Sequence, residues 1–296
     1  MVNMQTMEGG LRTRGCFKDS GGDKPLITVV TAVLNGERYL EQTILSVLTQ
    51  SYGNVEYLII DGGSSDGTLD IIKKYDARID YWRSEADNGI YEAMNKGIDL
   101  ARGDLIGLLN ADDYYELNAL QRVADSYGAA GSPSILYTNN YVLQEDLHLK
   151  YKSYPHMRYW LGMPLCHQAM FVAKEIYRQI GSYSLNYRFA ADYEFLLRSI
   201  HNGVAYVHLD EFLVNYRDTG LTSMNYTESL AEGRKINATY FPTVSRFHAG
   251  FLLSYYKTLT LFWLQKIIAV LFGRAVLQKA RTVYLKKFIA KEYEWL

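Results

Sequence analysis

Two adjacent acidic residues, Asp112 and Asp113, follow directly on an apolar run in the sequence. The run covers residues 104–109, and the acidic pair belongs to the tetrapeptide Asn110-Ala-Asp-Asp113. Neighbouring carboxylates resist joint ionisation unless a cation or hydrogen-bond donors compensate. Carboxylate oxygens at the end of a buried strand suit a divalent metal that carries a phosphorylated ligand. The alternative is a turn whose Asp caps a helix over residues 114–127.

Short apolar runs alternate with segments of helical period from Pro25 to about residue 109. Repeated β-α units of this kind require a parallel sheet with helices on both faces. The pattern therefore predicts an α/β fold with a Rossmann-like, mostly parallel central sheet flanked by helices. The expected strands are 26–31, 55–61, 79–84 and 105–109, and the expected helices are 37–50, 66–75 and 90–101.

Polar side chains follow each of these four strands, at the edge where an open α/β sheet binds its ligands. No GxGxxG or Walker A pattern accompanies them, because residues 61–67 have glycines at the wrong spacing and no Lys. The sequence therefore predicts a ligand site at this edge without a dinucleotide fingerprint or a P-loop. The polar residues are Asn35 and Glu37 after the first strand, Asp61 after the second, Asp87 and Asn88 after the third, and residues 110–113 after the fourth.

The cysteines and the N-terminus bear on the cellular compartment. Cys16 and Cys166 form no CxxC motif and no disulfide framework, which favours a reducing compartment. Residues 1–24 contain no continuous apolar segment, so we expect a flexible tail and not a signal peptide. A cytoplasmic protein is expected on these grounds.

Charge is distributed unevenly along the 296 residues, whose formal net charge is −1. Residues 246–296 hold 9 Lys and Arg against 2 Asp and Glu, and this excess points to an anionic surface as partner. The stretch 258–273 is strongly apolar but is interrupted by Lys266, and it is shorter than the roughly 20 residues that a membrane span needs. An interfacial helix at the inner face of the cell membrane fits this composition. The alternative is a helical hairpin that packs on the protein's own core or on a second copy.

The pattern after residue 132 changes to a mixed section and then to helices. Residues 132–220 are expected to complete the site and hold an acceptor, and residues 221–296 are expected to form a helical extension. The predicted elements of the mixed section are strands at 135–141, 168–173, 205–209 and 212–216 and a helix at 191–201.

Six segments between about residues 25 and 220 match, in order, the motifs of a known family of enzymes. They are Ile27-Thr-Val-Val-Thr-Ala-Val-Leu-Asn-Gly36, Tyr39-Leu-Glu-Gln-Thr-Ile-Leu-Ser-Val-Leu-Thr-Gln50, Asp61-Gly-Gly-Ser-Ser-Asp-Gly-Thr68, Asp87-Asn-Gly-Ile-Tyr-Glu-Ala-Met-Asn-Lys-Gly97, Asn110-Ala-Asp-Asp113 and Ala191-Asp-Tyr-Glu-Phe-Leu-Leu-Arg198. The chain resembles the inverting family-2 glycosyltransferases of GT-A fold, in particular bacterial enzymes that build exopolysaccharide, capsule or O-antigen repeats. The resemblance implies a GT-A domain over residues 25–220, with a nucleotide-sugar half at 25–131 and an acceptor half at 132–220.

The resemblance also implies that a nucleotide-sugar donor binds across the strand exits. Asp61 would contact the base, and Asp112 would coordinate a Mg²⁺ or Mn²⁺ ion that bridges the donor phosphates. The other residues implied in donor binding are Thr31, Asn35, Glu37, Asp87, Asn95, Asn110 and Asp113.

Asp192 matches the family's catalytic acidic motif and is the candidate general base for the acceptor hydroxyl. The alternative role of Asp192 is to cap the helix that follows it. His167 and Gln168 are candidates for contact with the acceptor or the diphosphate, and the alternative is a structural role beside an apolar strand. Arg198 is a third candidate for the acceptor region, where it would pair with phosphate or simply with an acidic side chain.

Three positions depart from the family pattern. Asn110 stands where many members carry Asp, Leu34 replaces an aromatic residue of the first loop, and Ala191 replaces an acid before the candidate base. The first change lowers the number of acids near the metal by one.

The expected function is metal-dependent, inverting transfer of a sugar from a nucleotide-sugar to a hydroxyl of a glycan acceptor, in particular a lipid-linked oligosaccharide. No nucleic-acid partner is expected. One alternative is a sugar-phosphate nucleotidyltransferase, although residues 33–38 lack the Gly-rich loop that such an enzyme would carry. Another alternative is a non-catalytic carbohydrate-binding protein of the same fold.

Overall fold

Strands and helices alternate through the first half of the chain, and helices dominate its end. The computed structural model describes residues 6–20, 24–130, 133–218, 225–242, 245–289 and 293–295. The strands are β1 (Met7–Gly9), β2 (Ile27–Val33), β3 (Val55–Asp61), β4 (Tyr81–Ser84), β5 (Leu105–Leu108), β6 (Tyr114–Tyr115), β7 (Ser134–Gln144), β8 (Leu149–Ser153), β9 (Met170–Ala173), β10 (Ala205–Arg217) and β11 (Tyr293–Trp295). The α-helices are α1 (Leu40–Leu48), α2 (Thr68–Lys74), α3 (Ile90–Leu100), α4 (Ala119–Ala130), α5 (Lys174–Ile180), α6 (Ala191–His201), α7 (Tyr226–Tyr240), α8 (Arg246–Phe272) and α9 (Arg274–Tyr284).

These strands form one mixed sheet with a parallel centre. The spatial order is β1-β4-β3-β2-β5-β9-β7-β10-β6, and β8 pairs with both β7 and β11. The pairs β4-β3, β3-β2 and β2-β5 are parallel, as are β7 and β10. β9 lies antiparallel between β5 and β7, so the sheet is continuous across the predicted boundary near residue 131. The prediction of a parallel central sheet is confirmed, and the antiparallel pairs lie outside it.

The central strands are buried on both faces by helices. β2, β3 and β5 are buried along their whole length, as expected for parallel strands that helices cover on both sides. α1 buries residues three or four positions apart, which gives one apolar stripe against the sheet. Gly97 of α3 lies so close to β2 that a Cβ atom there would be 2.2 Å from Cγ1 of Val30.

Several predicted boundaries differ from the observed ones. β10 is one strand over the span that the sequence divided in two, with register shifts on either side of Phe212. A helix was expected over 114–127 in the capping alternative, but Tyr114 and Tyr115 form a strand and α4 begins at Ala119. α5 and β8 were not predicted, because short segments carry little periodicity.

The prediction of a flexible N-terminal tail is wrong for residues 7–14. β1 pairs antiparallel with β4 at the edge of the sheet, and a 3₁₀ turn follows at Leu11–Arg14. The turn is fastened by Arg12, which donates to the carbonyl of Leu100 at 2.9 Å and to the carboxylate of Glu56. Backbone pairing and a partly buried ion pair fix this segment although it has no apolar run. Residues 1–5 and 21–23 lie outside the described residues.

The C-terminal extension is helical, as predicted, and is anchored on the core at both ends. At its start, Phe251 of α8 is buried and the ring of Phe247 packs 5.3 Å from that of Trp160. At its end, Arg281 of α9 forms a 2.8 Å ion pair with Asp146, and β11 pairs with β8. Within the described ranges, no helix is both long and apolar enough to cross a membrane.

Gly97→Ala tests the close approach of α3 to β2. The added methyl group would overlap Val30, and overpacking of this kind typically lowers the free energy of unfolding by about 1–3 kcal/mol. Urea unfolding followed by circular dichroism measures the change. Gly128→Ala in α4 is the matched control: nothing lies within 4 Å of its Cβ position, so we expect no loss and a gain of up to about 1 kcal/mol. Equal stability of the two variants would contradict the close packing.

Candidate active site

The loops that follow the parallel strands meet at one edge of the sheet. β2, β3, β4 and β5 run in the same direction, so their carboxyl ends lie side by side. The predicted polar residues at these strand exits are therefore brought to a common edge, where ligands bind in sheets of this type.

The first two loops are joined by hydrogen bonds. The amide nitrogen of Asn35 donates to Oγ of Ser64 at 2.7 Å, and its Oδ1 accepts from the amide nitrogen of Ser65 at 2.9 Å. Glu37 accepts from the amide nitrogen of Gly67 at 2.7 Å. Asn35 has a φ of 52°, a left-handed conformation that Asn tolerates better than most residues. The polar groups of this loop pair therefore also build the loops, and both Asn35 and Glu37 remain exposed.

Asp61 is a fully buried carboxylate at the end of β3. Its oxygens accept from Oγ of Ser84 at 2.6 Å and from Oγ of Ser64 at 2.5 Å. These donors hold the carboxylate at the base of the second loop. Any contact of Asp61 with a ligand would use lone pairs that these serines leave free.

Asp87 lies next to this second loop. A Cβ atom on Gly62 would be 2.6 Å from Oδ2 of Asp87, so a side chain there would displace the carboxylate from its present position. Asp87 also accepts from the amide nitrogen of Gly89 at 2.9 Å. Its pKa is raised, chiefly because burial disfavours the charged form. Asp61 and Asp87 thus follow adjacent strands, and Asp87 lies against Gly62, the residue after Asp61.

Thr31 and Asn95 lie behind this edge and support it. Thr31 is fully buried in β2, where its hydroxyl lies 3.1 Å from that of Tyr57, so the prediction that it contacts the donor is wrong. The side-chain amide of Asn95 donates to the carbonyl of Tyr183 at 2.8 Å and accepts from its amide nitrogen at 2.9 Å. Both polar atoms of Asn95 are therefore engaged in holding the segment around Tyr183.

Asp113 holds the 110–113 loop, which contains the candidate metal ligand Asp112, to the rest of the protein. It is fully buried and accepts from the amide nitrogen of Arg217 and from Nε2 of Gln168, both at 2.7 Å. Burial, and then the neighbouring charge of Asp112, raise the pKa of Asp113 well above its usual range. Asp113 is not a helix cap, since α4 begins six residues later. Gln168 is 1% exposed, so the prediction that it contacts the acceptor is wrong and the structural alternative holds.

Asn110 and Asp112 are the residues of this loop that fit a divalent metal. Oδ1 of Asn110 is buried and has no hydrogen-bond partner among the described residues. Such an orphaned oxygen beside a carboxylate is a suitable hard ligand, and Mg²⁺ is commonly held by one or two carboxylates plus substrate phosphates. No three His, Cys, Asp or Glu side chains converge within the part of the chain that the structure describes. An ion bound here would therefore need oxygens from its ligand as well.

Asp192 lies in the first turn of α6, near two other polar side chains. Its Oδ1 accepts from the hydroxyl of Tyr91 at 3.2 Å and from the amide nitrogen of Tyr193 at 2.8 Å. Its Oδ2 lies 3.6 Å from Nδ1 of His167. The N-cap residue of α6 is Ala190, so the capping alternative for Asp192 is wrong.

Tyr91 is a residue of this cluster that the sequence analysis did not single out. It is buried, and its ring packs 5.5 Å from that of Tyr183. Burial, and then the charge of Asp192, raise its pKa well above the ordinary value, so its hydroxyl remains a donor at physiological pH. Tyr91 lies within the family-like segment 87–97, and this position was the sequence signal that could have identified it as a site residue.

The dipeptide His167-Gln168 connects Asp192 with the 110–113 loop. His167 faces Asp192, while Gln168 is bonded to Asp113. Nε2 of His167 is buried without a hydrogen-bond partner in the described ranges. The short 3₁₀ turn His167–Ala169 thus places one polar side chain against Asp192 and another against Asp113.

Arg198 stabilises a helix end. It pairs with Glu194 at 3.0 Å and donates to the carbonyls of Ile180, Gly181 and Ser182, where α5 ends. The predicted pairing with an acid is confirmed, and together these contacts engage all three guanidinium nitrogens. Carbonyls at a helix C-terminus attract a cation, and this accounts for the position of Arg198.

Comparison with known proteins identifies related sequences and folds. The family model for "Glycosyl transferase family 2" matches residues 28–192. A PGL/p-HBAD biosynthesis glycosyltransferase of Mycobacterium bovis is 32% identical over 183 residues, which cover 60% of this chain and 71% of that protein. S. aureus TarS residues 1–349, solved with UDP-GlcNAc, superposes with a TM-score of 0.60 at 15% identity, over 78% of this chain and 72% of that one.

A second solved structure has a similar fold. The mannosyltransferase PcManGT from Pyrobaculum calidifontis, solved with GDP-Man and Mn²⁺, superposes with a TM-score of 0.55 at 14% identity, over 92% of this chain and 83% of that one. These likenesses confirm the predicted GT-A fold.

Asn95→Ala tests the supporting role of Asn95. Loss of two hydrogen bonds to the backbone of Tyr183 should lower the free energy of unfolding by about 1–3 kcal/mol. Thermal and urea unfolding measure the loss. Asn186→Ala is the control, because Asn186 is an exposed residue three positions beyond Tyr183, and we expect a change within about 0.5 kcal/mol. A neutral Asn95→Ala would show that water replaces the amide without cost.

Proposed function

Since the chain belongs to glycosyl transferase family 2 and is a glycosyltransferase, we propose that it moves a sugar from a nucleotide-sugar donor to a hydroxyl of a glycan acceptor with inversion at the anomeric carbon. One observation carries the proposal. The 110–113 loop, which carries Asp112, and Asp192 are connected by the dipeptide His167-Gln168, since Gln168 donates to Asp113 of the loop and His167 faces Asp192. Family membership favours this function over a nucleotidyltransferase or a non-catalytic binding protein.

The donor is proposed to bind along the edge formed by the strand exits. The partly exposed carboxylate of Asp87 suits the N–H and O–H groups of a base and a ribose. Asp61 is fully buried behind the second loop, so its contact with the base would need the loop to move as the donor binds. Asn35 and Glu37 are exposed on the neighbouring loop. The solved complexes of TarS with UDP-GlcNAc and of PcManGT with GDP-Man support a sugar nucleotide as the ligand class.

Asn110 and Asp112 are proposed to hold Mg²⁺ or Mn²⁺ together with the donor phosphates. A divalent ion in this position neutralises the charge that develops on the departing diphosphate. The buried oxygen of Asn110, which has no partner in the described part of the chain, supports the assignment, as does Mn²⁺ in the PcManGT complex. Asp113 does not take part directly, because both of its oxygens are bonded to protein donors.

Asp192 is proposed as the general base. As the acceptor oxygen forms its bond to the anomeric carbon, the bond from that carbon to the phosphate oxygen breaks and the nucleoside diphosphate leaves. Asp192 takes the proton of the acceptor hydroxyl. Tyr91 and His167 orient the carboxylate, since Tyr91 donates to one oxygen and His167 faces the other.

Asp192→Asn is expected to lower turnover by about 10²–10⁴-fold, the range typical for loss of a general base, while nucleotide binding persists. Purified protein is incubated with UDP-, GDP- and dTDP-sugars, with Mn²⁺ or with chelator, and nucleoside diphosphate release and nucleotide affinity are measured. Asp99→Asn, at an exposed acid on α3, is the control and should behave like the unaltered protein. Unchanged turnover of Asp192→Asn would refute the base, and release that persists in chelator would refute the metal.

The acceptor is proposed to be a lipid-linked oligosaccharide that the enzyme meets at the cytoplasmic face of the membrane. The support comes from the hairpin apex, defined as residues 261–276 at the junction of α8 and α9. Its apolar side chains are exposed on several sides of the helix, with Val270 at 85% and Leu271 at 68%. Lys266 and Arg274 are exposed among them. An exposed apolar surface with basic residues suits an anionic lipid surface.

Ile267→Glu combined with Val270→Glu is expected to lower binding to anionic vesicles by about tenfold or more, because two charges replace apolar contacts at the apex. Flotation with phosphatidylglycerol vesicles measures the bound fraction. Leu117→Glu is the matched control, since Leu117 is 65% exposed and precedes α4. Unaltered protein that stays unbound but forms a dimer, which the double variant dissociates, would instead favour the alternative of a second copy.

A further inference from the structure

Arg217, the last residue of β10, is buried at 6% exposure beside the 110–113 loop. Its guanidinium donates to the backbone carbonyl of Asp112. Nε donates to Oε1 of Glu145 at 2.9 Å, and Nη2 donates to Oε1 of Gln42 at 2.7 Å. Its own amide nitrogen donates to Asp113. One residue thus connects the loop to three other segments of the chain.

Two aromatic rings hold the guanidinium in place. Its central carbon lies 4.3 Å from the ring centre of Tyr39 and 5.3 Å from that of Tyr114. Cations are attracted to aromatic rings at these distances, and a planar guanidinium also packs on their faces. The position of Arg217 is therefore fixed by packing and by hydrogen bonds together.

The backbone carbonyls of residues 111–113 lie against side-chain donors, and that of Asn110 accepts from the amide nitrogen of Asp113. The hydroxyl of Thr43 in α1 lies 2.9 Å from the carbonyl oxygen of Ala111 and 2.7 Å from that of Asp113. Arg217 takes the carbonyl between them, that of Asp112. Because a carbonyl and the adjacent Cα belong to one rigid backbone unit, these bonds fix the origin of the Asp112 side chain.

We propose that Arg217 is a positioning residue that sets the affinity of the 110–113 loop for its divalent metal. The inference rests on the proposed function, in which Asp112 and Asn110 hold the ion. Arg217 acts through the backbone of Asp112 and does not itself touch the ion. Glu145 is the counter-charge of Arg217, and Tyr39 also donates to Glu145. Groups that orient a metal ligand typically change metal affinity by about 10–100-fold when they are removed.

The test compares Arg217→Met and Arg217→Lys with the unaltered full chain. Mn²⁺ is titrated in the presence of UDP or GDP by calorimetry, and in parallel by its activation of nucleoside diphosphate release. Arg217→Met should weaken Mn²⁺ binding by about 10–100-fold, with a much smaller loss of turnover at saturating Mn²⁺. Arg217→Lys should recover only part of the affinity, because an ammonium group lacks the planar fork that reaches three acceptors.

Two further variants separate positioning from folding. Glu145→Gln keeps Arg217 and should weaken Mn²⁺ binding less than Arg217→Met does. Arg122→Met removes an exposed Arg of α4 from its pair with Glu211 of β10, and its Mn²⁺ titration should match that of the unaltered protein. If Arg217→Met fails to fold, the Lys and Gln variants carry the test.

The outcomes distinguish the two levels of the proposal. If the unaltered protein binds Mn²⁺ and needs it, while the Arg217 and Glu145 variants show the same Mn²⁺ affinity, the role of Arg217 is overturned and the proposed function stands. A loss of turnover with unchanged Mn²⁺ affinity also overturns it. If the unaltered protein neither binds Mn²⁺ with nucleotide nor needs it, the metal assignment fails and the inference fails with it.

Discussion

The fully buried carboxylate of Asp113 is the interaction on which the site depends most. Its two oxygens accept from Arg217 at the end of β10 and from Gln168 in the turn before β9. Three segments that are far apart in sequence therefore meet at one side chain. A buried carboxylate is tolerated only when donors compensate for the loss of water, and this requirement fixes all three segments together.

The need of buried polar groups for hydrogen-bond partners also distinguishes residues that build the site from residues that can bind a ligand. Polar side-chain atoms of Asn95, Gln168 and Arg198 form hydrogen bonds with backbone or carboxylate groups of the protein. The oxygen of Asn110, by contrast, is buried and has no partner among the residues that the structure describes. Because an unpaired buried polar atom costs free energy, this oxygen is open to a partner that the described residues do not supply.

The C-terminal extension differs from the site, because it is anchored on the core at its ends and exposed between them. Phe251 near the start and Arg281 near the end contact the core, while the hairpin apex exposes its apolar side chains. Arg281 pairs with Asp146, and the adjacent Glu145 pairs with Arg217. The extension is thereby connected, through two neighbouring acids, to the arginine beside the metal-binding candidate loop.

The sequence by itself determined the central β-α units, the edge at which the polar loops meet and the order of the family motifs, because strand and helix periodicity and strand-exit positions are local properties. It also pointed to Asp112 and Asp192 as the chemically distinct acids. Only the tertiary structure decided which polar side chains face the site, as Thr31 shows, and which distant residue supports it, as Arg217 shows. Those partnerships depend on register and packing between strands that lie far apart in the chain, and no local pattern encodes them.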